Sequence, residues 1–427
     1  MGAPKSAAGN NNRAMSFYTK DKHLYCEKLR VKDIQARVAH SPFYLYSLAQ
    51  VRENYEAYTS ALAGIESMVC YAFKANNNLH ILRQLAKWGS GGALVSGNEL
   101  KLAKAAGFAA RRTVFNGNGK TCDELRLAVD HGAMVNIDSE FDIENIDRAA
   151  TSVKKPVNVL IRINPDLDPE VHPYVSTGIR DSKFGIRNEQ VPWFLDRIRA
   201  APLLNLVGVH CHLGSTIQDV QIFRDATFLM LQFVKTIRQE GFSLKYLNIG
   251  GGLGIDYERT NTLPRQADLI DRIRDLLTGD VTLIIEPGRS IVGNAGILVN
   301  QVLGVKANGA KHFIVVDGSM AELVRPSLYD AYHHIGFTEP VSGEVKTYEV
   351  VGPVCESTDF FGKGRQLATP HDGAGLAVHD AGAYGYAMSS NYNGRMRPPE
   401  YLVDGDRLTR IRRAEQFDEY VRLFDTT

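Results

Sequence analysis

Residues Tyr246–Gly254 read YLNIGGGLG, and residues Leu283–Arg289 read LIIEPGR. Each begins as a short apolar run of strand character and breaks off into residues that carry chemistry. The first ends in three consecutive glycines, Gly250, Gly251 and Gly252; the second ends in Glu286, Pro287, Gly288 and Arg289. The same form recurs upstream: Lys74 follows the run Met68–Phe73, Ser96 follows Gly92–Val95, and His212 follows Leu206–Cys211. Thr113–Phe115, Met134–Ile137 and Val157–Ile163 complete a set of eight candidate strands. Between them lie helical stretches such as Leu79–Trp88, Asn98–Ala106, Ile217–Gln239 and Ala267–Leu277. In the last of these Leu269, Ile270, Ile273 and Leu276 share one face and charges fill the other.

A series of β-then-α units of this number closes a (β/α)8 barrel. A doubly wound open sheet has the same periodicity, so the loaded residues decide. Lys74, Ser96, His212, Gly250–Gly252 and Glu286 each stand past the C-terminal end of a different strand. Such ends converge on one mouth in a barrel and spread along a line in an open sheet. The expected fold is a TIM barrel over residues 50–296. After about residue 296 the pattern changes to Lys311–Asp317, Lys346–Val351, Leu376–His379 and Leu402–Val403, short strands with Gly, Pro and Asp turns. Residues 297–427 are expected to form an all-β, sandwich or barrel-like domain. Residues 17–49, through Leu24–Leu29 and Phe43–Tyr46, are expected to join it.

The chain has 427 residues, above the ~250–300 at which single cores stop growing, which agrees with two domains. Hydrophobic residues make up 44% and the formal net charge is +1, without a dense basic run, so a nucleic-acid partner is not expected. Nor is a membrane span, since no apolar stretch approaches ~18 residues. The five cysteines are scattered and form no C-x-x-C pair, which fits a reducing compartment. The segment 1–16 contains Lys and Arg but no acid, and reads either as a transit-peptide remnant or as a disordered tail.

Lys74 alone is a weak signal, because a lysine at a strand end is commonly just solvated. A buried one is driven toward the neutral amine, the form that makes a Schiff base. The glycines let backbone N–H groups approach an anion, and the loops after the seventh and eighth strands are the usual phosphate site of such barrels. A tight turn is the alternative. Glu286 could pair with Arg289, or hold a pyridine nitrogen protonated and so strengthen an electron sink. His210 and His212 share a strand face, but no carboxylate cluster accompanies them, so no metal is expected. His212 reads as a ring stacked on an aromatic cofactor, with His210 structural.

Six segments occur in order: YAFKANNN around Lys74, HCHLGS at 210–215, GGGLGIDY at 250–257, EPGRSIVGNAG from Glu286, VCESTD from Val354, and DAGAYGYAMSSNYN from Asp380. Together they resemble the diaminopimelate decarboxylases, pyridoxal-phosphate enzymes of the alanine racemase-like fold. NGNGK at 116–120 and RPSLYDAYH at 325–333 are most similar to the plant and bacterial forms. The resemblance runs from about residue 17 to the C-terminus.

It implies pyridoxal 5'-phosphate as cofactor and Lys74 as its covalent anchor. Gly250–Gly252, Ser215 and the backbone of Pro287, Gly288 and Arg289 would hold the phosphate, with a hydroxyl from Tyr384. Glu286 would face the pyridine nitrogen and His212 the ring. Arg289, Arg325, Tyr329 and Tyr384 would take the distal carboxylate of meso-diaminopimelate, and Glu356 its distal ammonium. Cys355, as proton donor, and Glu356 would reach a partner's site, so a homodimer is implied. His172 and Lys183–Phe184–Gly185 resemble the family's active-site loop, without a chemical role. The compartment implied is the plastid stroma for a plant or alga and the cytoplasm otherwise.

Three rivals are weighed against this. Another decarboxylase of the fold would lack a distal carboxylate to bind. A racemase would pair the pyridine nitrogen with Arg, against Glu286. A non-catalytic binding protein would have lost Lys74 or the CES segment, and both are present.

Overall fold

The computed structural model describes residues 16–169, 171–172, 178 and 182–424. Eight parallel strands form a closed barrel. They are β1 (Ser67–Ala72), β2 (Gly91–Leu94), β3 (Thr113–Phe115), β4 (Met134–Ile137), β5 (Val157–Arg162), β6 (Leu204–His210), β7 (Tyr246–Asn248) and β8 (Thr282–Ile285). Closure comes from β8 pairing with β1, Ile284 opposite Met68. Each strand matches an expected run to within two residues at either end. Near-continuous apolar runs are what strands buried on both faces require.

Side-chain alternation divides the barrel into two cores. Outward residues join the helices in the main core. Inward residues make a separate cluster of Met68, Cys70, Ala72, Ala93, Val114, Met134, Leu160, Val207 and Ile284, with Tyr246 packed against it. All eight strands contribute, so the interior is filled rather than hollow.

Three helices on the first half of the barrel begin where capping residues satisfy their first N–H groups. Asn78 Oδ1 accepts from His80 N–H at 3.0 Å ahead of Leu79–Lys87, and Ser96 Oγ accepts from Glu99 N–H at 3.2 Å ahead of Gly97–Ala106. Thr121 and Glu124 form a capping box at Cys122–His131. The expected helix Ile217–Gln239 is shorter, Gln221–Gln239. Ile217 is withheld from it because its backbone bridges to the glycine loop: its N–H donates to the Gly252 carbonyl at 3.0 Å and its carbonyl accepts from Gly254 N–H at 2.9 Å. The Ala267–Leu277 stretch is the α-helix Gln266–Ile273 followed by a 3-10 turn, Arg274–Leu276.

Nine of the twelve remaining strands form one sheet. Its spine is Gly296–Asn308, which pairs antiparallel with Phe43–Ser47, Gly375–Val378 and Lys311–Val316. Phe43–Ser47 in turn lies parallel to Glu400–Asp404. The N-terminal expectation holds for this strand. The segment around Leu24–Leu29 instead folds into a separate three-stranded sheet, Phe17–Lys20, His23–Cys26 and Leu29–Arg30. Leu24 and Cys26 still pack with Phe43, Leu45, Ile297 and Tyr401. Residues 1–15 lie outside the described residues, as does part of the loop that contains His172. Among the described residues, no helix is long and apolar enough to cross a membrane.

Candidate active site

The site is the next layer of the barrel interior. Side chains repeat every second residue along a strand, so two positions beyond each inward apolar residue is another inward residue. Counting on from Ala72, Val114, Met134, Leu160, Tyr246 and Ile284 gives Lys74, Asn116, Asn136, Arg162, Asn248 and Glu286. On β6 a bulge between Leu206 and Gly208 resets the count and brings His210 opposite Arg162. The layer is polar except at β2, where the same count from Ala93 gives Val95, whereas the one beneath it is apolar.

Glu286 is its centre. Asn116 Nδ2 donates to both carboxylate oxygens at 3.1 and 3.0 Å, and Asn248 Nδ2 donates to Oε1 at 2.8 Å. Asn136 Nδ2 donates to Asn116 Oδ1, which turns the Asn116 amide so that its donors face the acid. Burial by itself raises the Glu286 pKa; His210 first, then Asn248 and Asn116, overturn that and bring it down to about 2. His210 Nε2 stands 3.7 Å from Oε2, beyond hydrogen-bond length, so the carboxylate's direct hydrogen bonds come from the asparagines. An ionised carboxylate offers about four acceptor positions. Three are taken here, leaving capacity for one N–H donor.

The glycine loop is built for clearance. A Cβ on Gly250 would come within 2.7 Å of both the Cys211 carbonyl oxygen and His212 Nδ1. On Gly251 it would strike the Glu286 carbonyl, and on Gly252 the Gly214 carbonyl. Gly250 and Gly252 also have φ of 68° and 120°, which favours glycine. The Gly250 N–H already donates to Asn248 Oδ1 and the Gly251 N–H to His212 Nδ1. For these two glycines, then, room is the contribution rather than free donors. His212 accepts at Nδ1, which places its proton on Nε2. Burial, then Lys74 and Arg162, push its pKa well below the ordinary value.

Two guanidiniums border the mouth. Arg289 is 6% exposed and Arg325 is 4% exposed. Arg289 donates to Tyr257 Oη at 2.7 Å and to Ser215 Oγ at 2.9 Å, and lies 4.7 Å from the Tyr384 ring centre. Arg325 lies 4.8 Å from the Tyr257 ring centre and 2.8 Å from His333 Nε2. Among the described residues neither forms an ion pair with a carboxylate, and the Nε of each is buried without a partner. Buried cations are costly unless paired. This mouth therefore fits anions at two places, one beside Ser215 and one beside Arg325.

Lys74 sits in a 3-10 turn, Phe73–Ala75, at the end of β1. It is exposed, so the expected burial is not met; past the last inward apolar layer the wide mouth leaves its stem in solvent. Tyr384 is tied beside it by its N–H, which donates to the Ala75 carbonyl at 2.7 Å, and adopts φ 58°, an uncommon value for a non-glycine residue. A Cβ on Gly288 would meet those of Ala75 and Ala72 at 3.0 and 3.2 Å, so Pro287–Gly288 packs directly against the lysine turn. Tyr329 is half-buried, its ring 6.0 Å from that of His172. Lys183 and Phe184 stack together near Arg162.

Cys355 and Glu356 are different. Both are exposed, on a loop whose contacts are with Asn393 and Thr358. Among the described residues neither forms a hydrogen bond or ion pair with the mouth of its own barrel. Residues that the motifs did not single out are Asn136, Asn248, Tyr257, His333 and the buried pair of Arg162 with Asp138 at 3.2 Å. The period-two count finds Asn136, Asn248 and Arg162. Tyr257 and His333 lie inside quoted segments and have no periodic signal of their own. Among the described residues no group of three or more His, Cys, Asp or Glu is placed to hold a metal.

Residues 48–293 match the family model described as the pyridoxal-dependent decarboxylase, pyridoxal binding domain. A protein of Oryza sativa subsp. japonica named "Probable diaminopimelate decarboxylase, chloroplastic" is 57% identical over 99% of this chain and 88% of its own length. The diaminopimelate decarboxylase of Aquifex aeolicus is 42% identical over 94% of this chain and 96% of its own. A solved diaminopimelate decarboxylase of M. jannaschii, in complex with L-lysine, superposes with a TM-score of 0.91 at 34% identity, covering 97% of this chain and 98% of that one. The site fits the group that this family uses: an acid held ionised by amides, an anion site at Ser215 and Arg289, and an amine at the rim. The chain belongs to the diaminopimelate decarboxylase family of pyridoxal-dependent decarboxylases.

Proposed function

We propose that this chain decarboxylates meso-2,6-diaminopimelate to L-lysine and carbon dioxide, the last step of lysine biosynthesis by the diaminopimelate route. One observation carries the reading: two guanidiniums nine-tenths buried or more, without carboxylate partners among the described residues, in the mouth that also holds an ionised Glu286. Pyridoxal phosphate needs one of the two anion sites. The second suits a substrate with a carboxylate remote from the reacting carbon, which ornithine and arginine lack. A buried site built for that group rejects analogues without it, because the cation would be left unpaired.

When bound, the cofactor supplies an electrophilic aldehyde and a conjugated ring that accepts the electron pair released as the carbon–carboxylate bond breaks. Lys74 Nζ would anchor it. Ser215 Oγ, Arg289, Tyr384 and the backbone at Gly252 and Pro287–Gly288 would hold the phosphate, with Gly250 and Gly251 giving it room. Glu286 would keep the ring nitrogen protonated, and His212 would cover the ring face. Arg325, with Arg289, Tyr329 and Tyr384, grips the distal carboxylate, so that the leaving carboxylate stays in one orientation. Cys355 Sγ of a second copy returns a proton to the substrate carbon, with Lys74 Nζ as the other candidate, and Glu356 takes the distal ammonium. The exposure of Cys355 and Glu356, away from their own mouth, supports a homodimer with shared sites.

We divide the chain into a tail, 1–16, a segment 17–49 that joins the sheet domain, a barrel 50–296 and a sheet domain 297–427. The plastid stroma is the compartment if the source is a plant or alga, and the cytoplasm otherwise; the rice protein's name is the support.

The test is an absorbance spectrum of purified protein, then product analysis with diaminopimelate and, separately, ornithine. Expected are a band near the visible edge, release of L-lysine and carbon dioxide from the first substrate alone, and loss of both band and turnover in Lys74→Ala. A protein that takes up no pyridoxal phosphate, or that prefers ornithine, refutes the proposal.

A further inference from the structure

Arg325 leaves the first turn of a short helix, Arg325–Tyr329, and is 4% exposed. Its long stem allows many rotamers, so some contact must fix its direction. One terminal nitrogen lies 2.8 Å from Nε2 of His333. The other ring nitrogen of His333, Nδ1, lies 2.7 Å from the His379 carbonyl oxygen. A carbonyl oxygen only accepts, so Nδ1 carries the proton; a guanidinium only donates, so Nε2 is bare. One state satisfies both contacts, the neutral Nδ1–H tautomer. His333 is fully buried, and its ring meets Tyr257 edge-on at 5.3 Å. Arg325 packs on that same tyrosine, whose hydroxyl accepts from Arg289.

We infer that His333 is a positioning residue for substrate specificity: as a fixed, uncharged acceptor it pins one N–H of Arg325 and leaves the other donors for the distal carboxylate. The inference rests on the reading of Arg325 given above. The chemistry explains why a histidine stands here. An Asp or Glu would neutralise the guanidinium and compete with the substrate, and a charged imidazole would repel it. A neutral acceptor orients the cation without using up its charge.

The test compares two ligands of the cofactor-loaded protein by calorimetric titration. L-Lysine keeps the distal carboxylate, and cadaverine lacks it. His333→Leu is expected to weaken L-lysine about tenfold or more, cadaverine by less than about twofold, and His333→Gln, which keeps an acceptor, to stay within about threefold of the parent. Equal weakening of both ligands, or of neither, overturns the inference. Arg325→Gln is the control. If it fails to separate L-lysine from cadaverine, the reading of Arg325 itself is wrong; if it separates them and His333→Leu does not, only the inference fails. Should His333→Leu not fold, the His333→Gln titration and the 15N spectrum of the histidine-labelled parent decide. A bare Nε2 and a protonated Nδ1 at His333 are expected, and a proton on Nε2 overturns the proposal.

Discussion

Replacing Arg325 with glutamine is expected to stabilise the ligand-free holoenzyme while abolishing its response to L-lysine. The guanidinium is 4% exposed, with no carboxylate partner among the described residues. Removing an ion from water costs several kcal/mol even after relaxation. In return, the hydrogen bond to His333 is worth ~1.5–3 kcal/mol and the Tyr257 contact ~0.5–2 kcal/mol. Burial and the neighbouring Arg289 both pull the Arg325 pKa down, the direction expected of a cation under stress. Glutamine can keep an N–H for His333 and drops the charge, which leaves a net gain of ~1–3 kcal/mol. At ~2 cal/mol/K of unfolding entropy per residue over 427 residues, that gain raises the unfolding midpoint by ~1–3 °C. The assay is thermal unfolding with and without saturating L-lysine. The parent should gain stability from L-lysine and the variant should not. A variant that melts below the parent without L-lysine would mean the cation is already compensated within the fold, and the anion-site argument would fail.

Three further outcomes are expected. Glu356→Gln should keep its cofactor yet use diaminopimelate poorly, and mixing it with Lys74→Ala should restore activity to at most about one quarter of the parent, the share a two-fold dimer allows; no recovery after subunit exchange counts against shared sites. Asn116→Leu removes a hydrogen bond to a charged group and should cost ~1.5–3 kcal/mol in urea titrations at pH 7. The Glu286 contribution is present above its ordinary 4.5 and is lost as pH falls from there through about 2, so the deficit should shrink toward the acid end; equal stability at pH 7 would reject the amide account. Asp380 runs the opposite way: burial raises its pKa from 3.8 to about 7. The folded chain therefore holds a proton there that the unfolded chain has released, and stability is lost as pH rises from about 4 to about 7. Asp380→Asn should remove that slope and be more stable at pH 8 by ~4 kcal/mol; parallel pH profiles would exclude it.

The barrel was legible because its strands are buried on both faces and its loaded residues end five of them. Pattern failed where one segment serves two environments. Gly296–Asn308 is buried over its first half, mostly exposed over its second, and bulged between Val302 and Gly304, so it shows no single period. Ile217 looked helical by its apolar spacing, but its backbone groups are spent on the glycine loop. In the site, Lys74, Glu286 and Arg289 stood out as charged residues after apolar runs. Asn116, Asn136 and Asn248 did not, since asparagine past a strand reads as a turn residue. Only the inward parity of the barrel distinguishes them. His333 has no local signal, because both its partners are brought to it by tertiary structure.

The strand Phe43–Ser47 is wholly buried between two others, yet its neighbours follow it by about 250 and about 350 residues. At a synthesis rate of ~5–20 residues per second, it leaves the ribosome ~12–50 s before its first neighbour and ~18–70 s before its second. Until the first neighbour arrives this segment, with three aromatic residues in five, has both hydrogen-bonding edges open, and one edge stays open until the second arrives. The barrel can form meanwhile, but the sheet beside it closes only when the last thirty or so residues have arrived. Truncations near the C-terminus should therefore expose this early strand and drive aggregation, even when the barrel is complete.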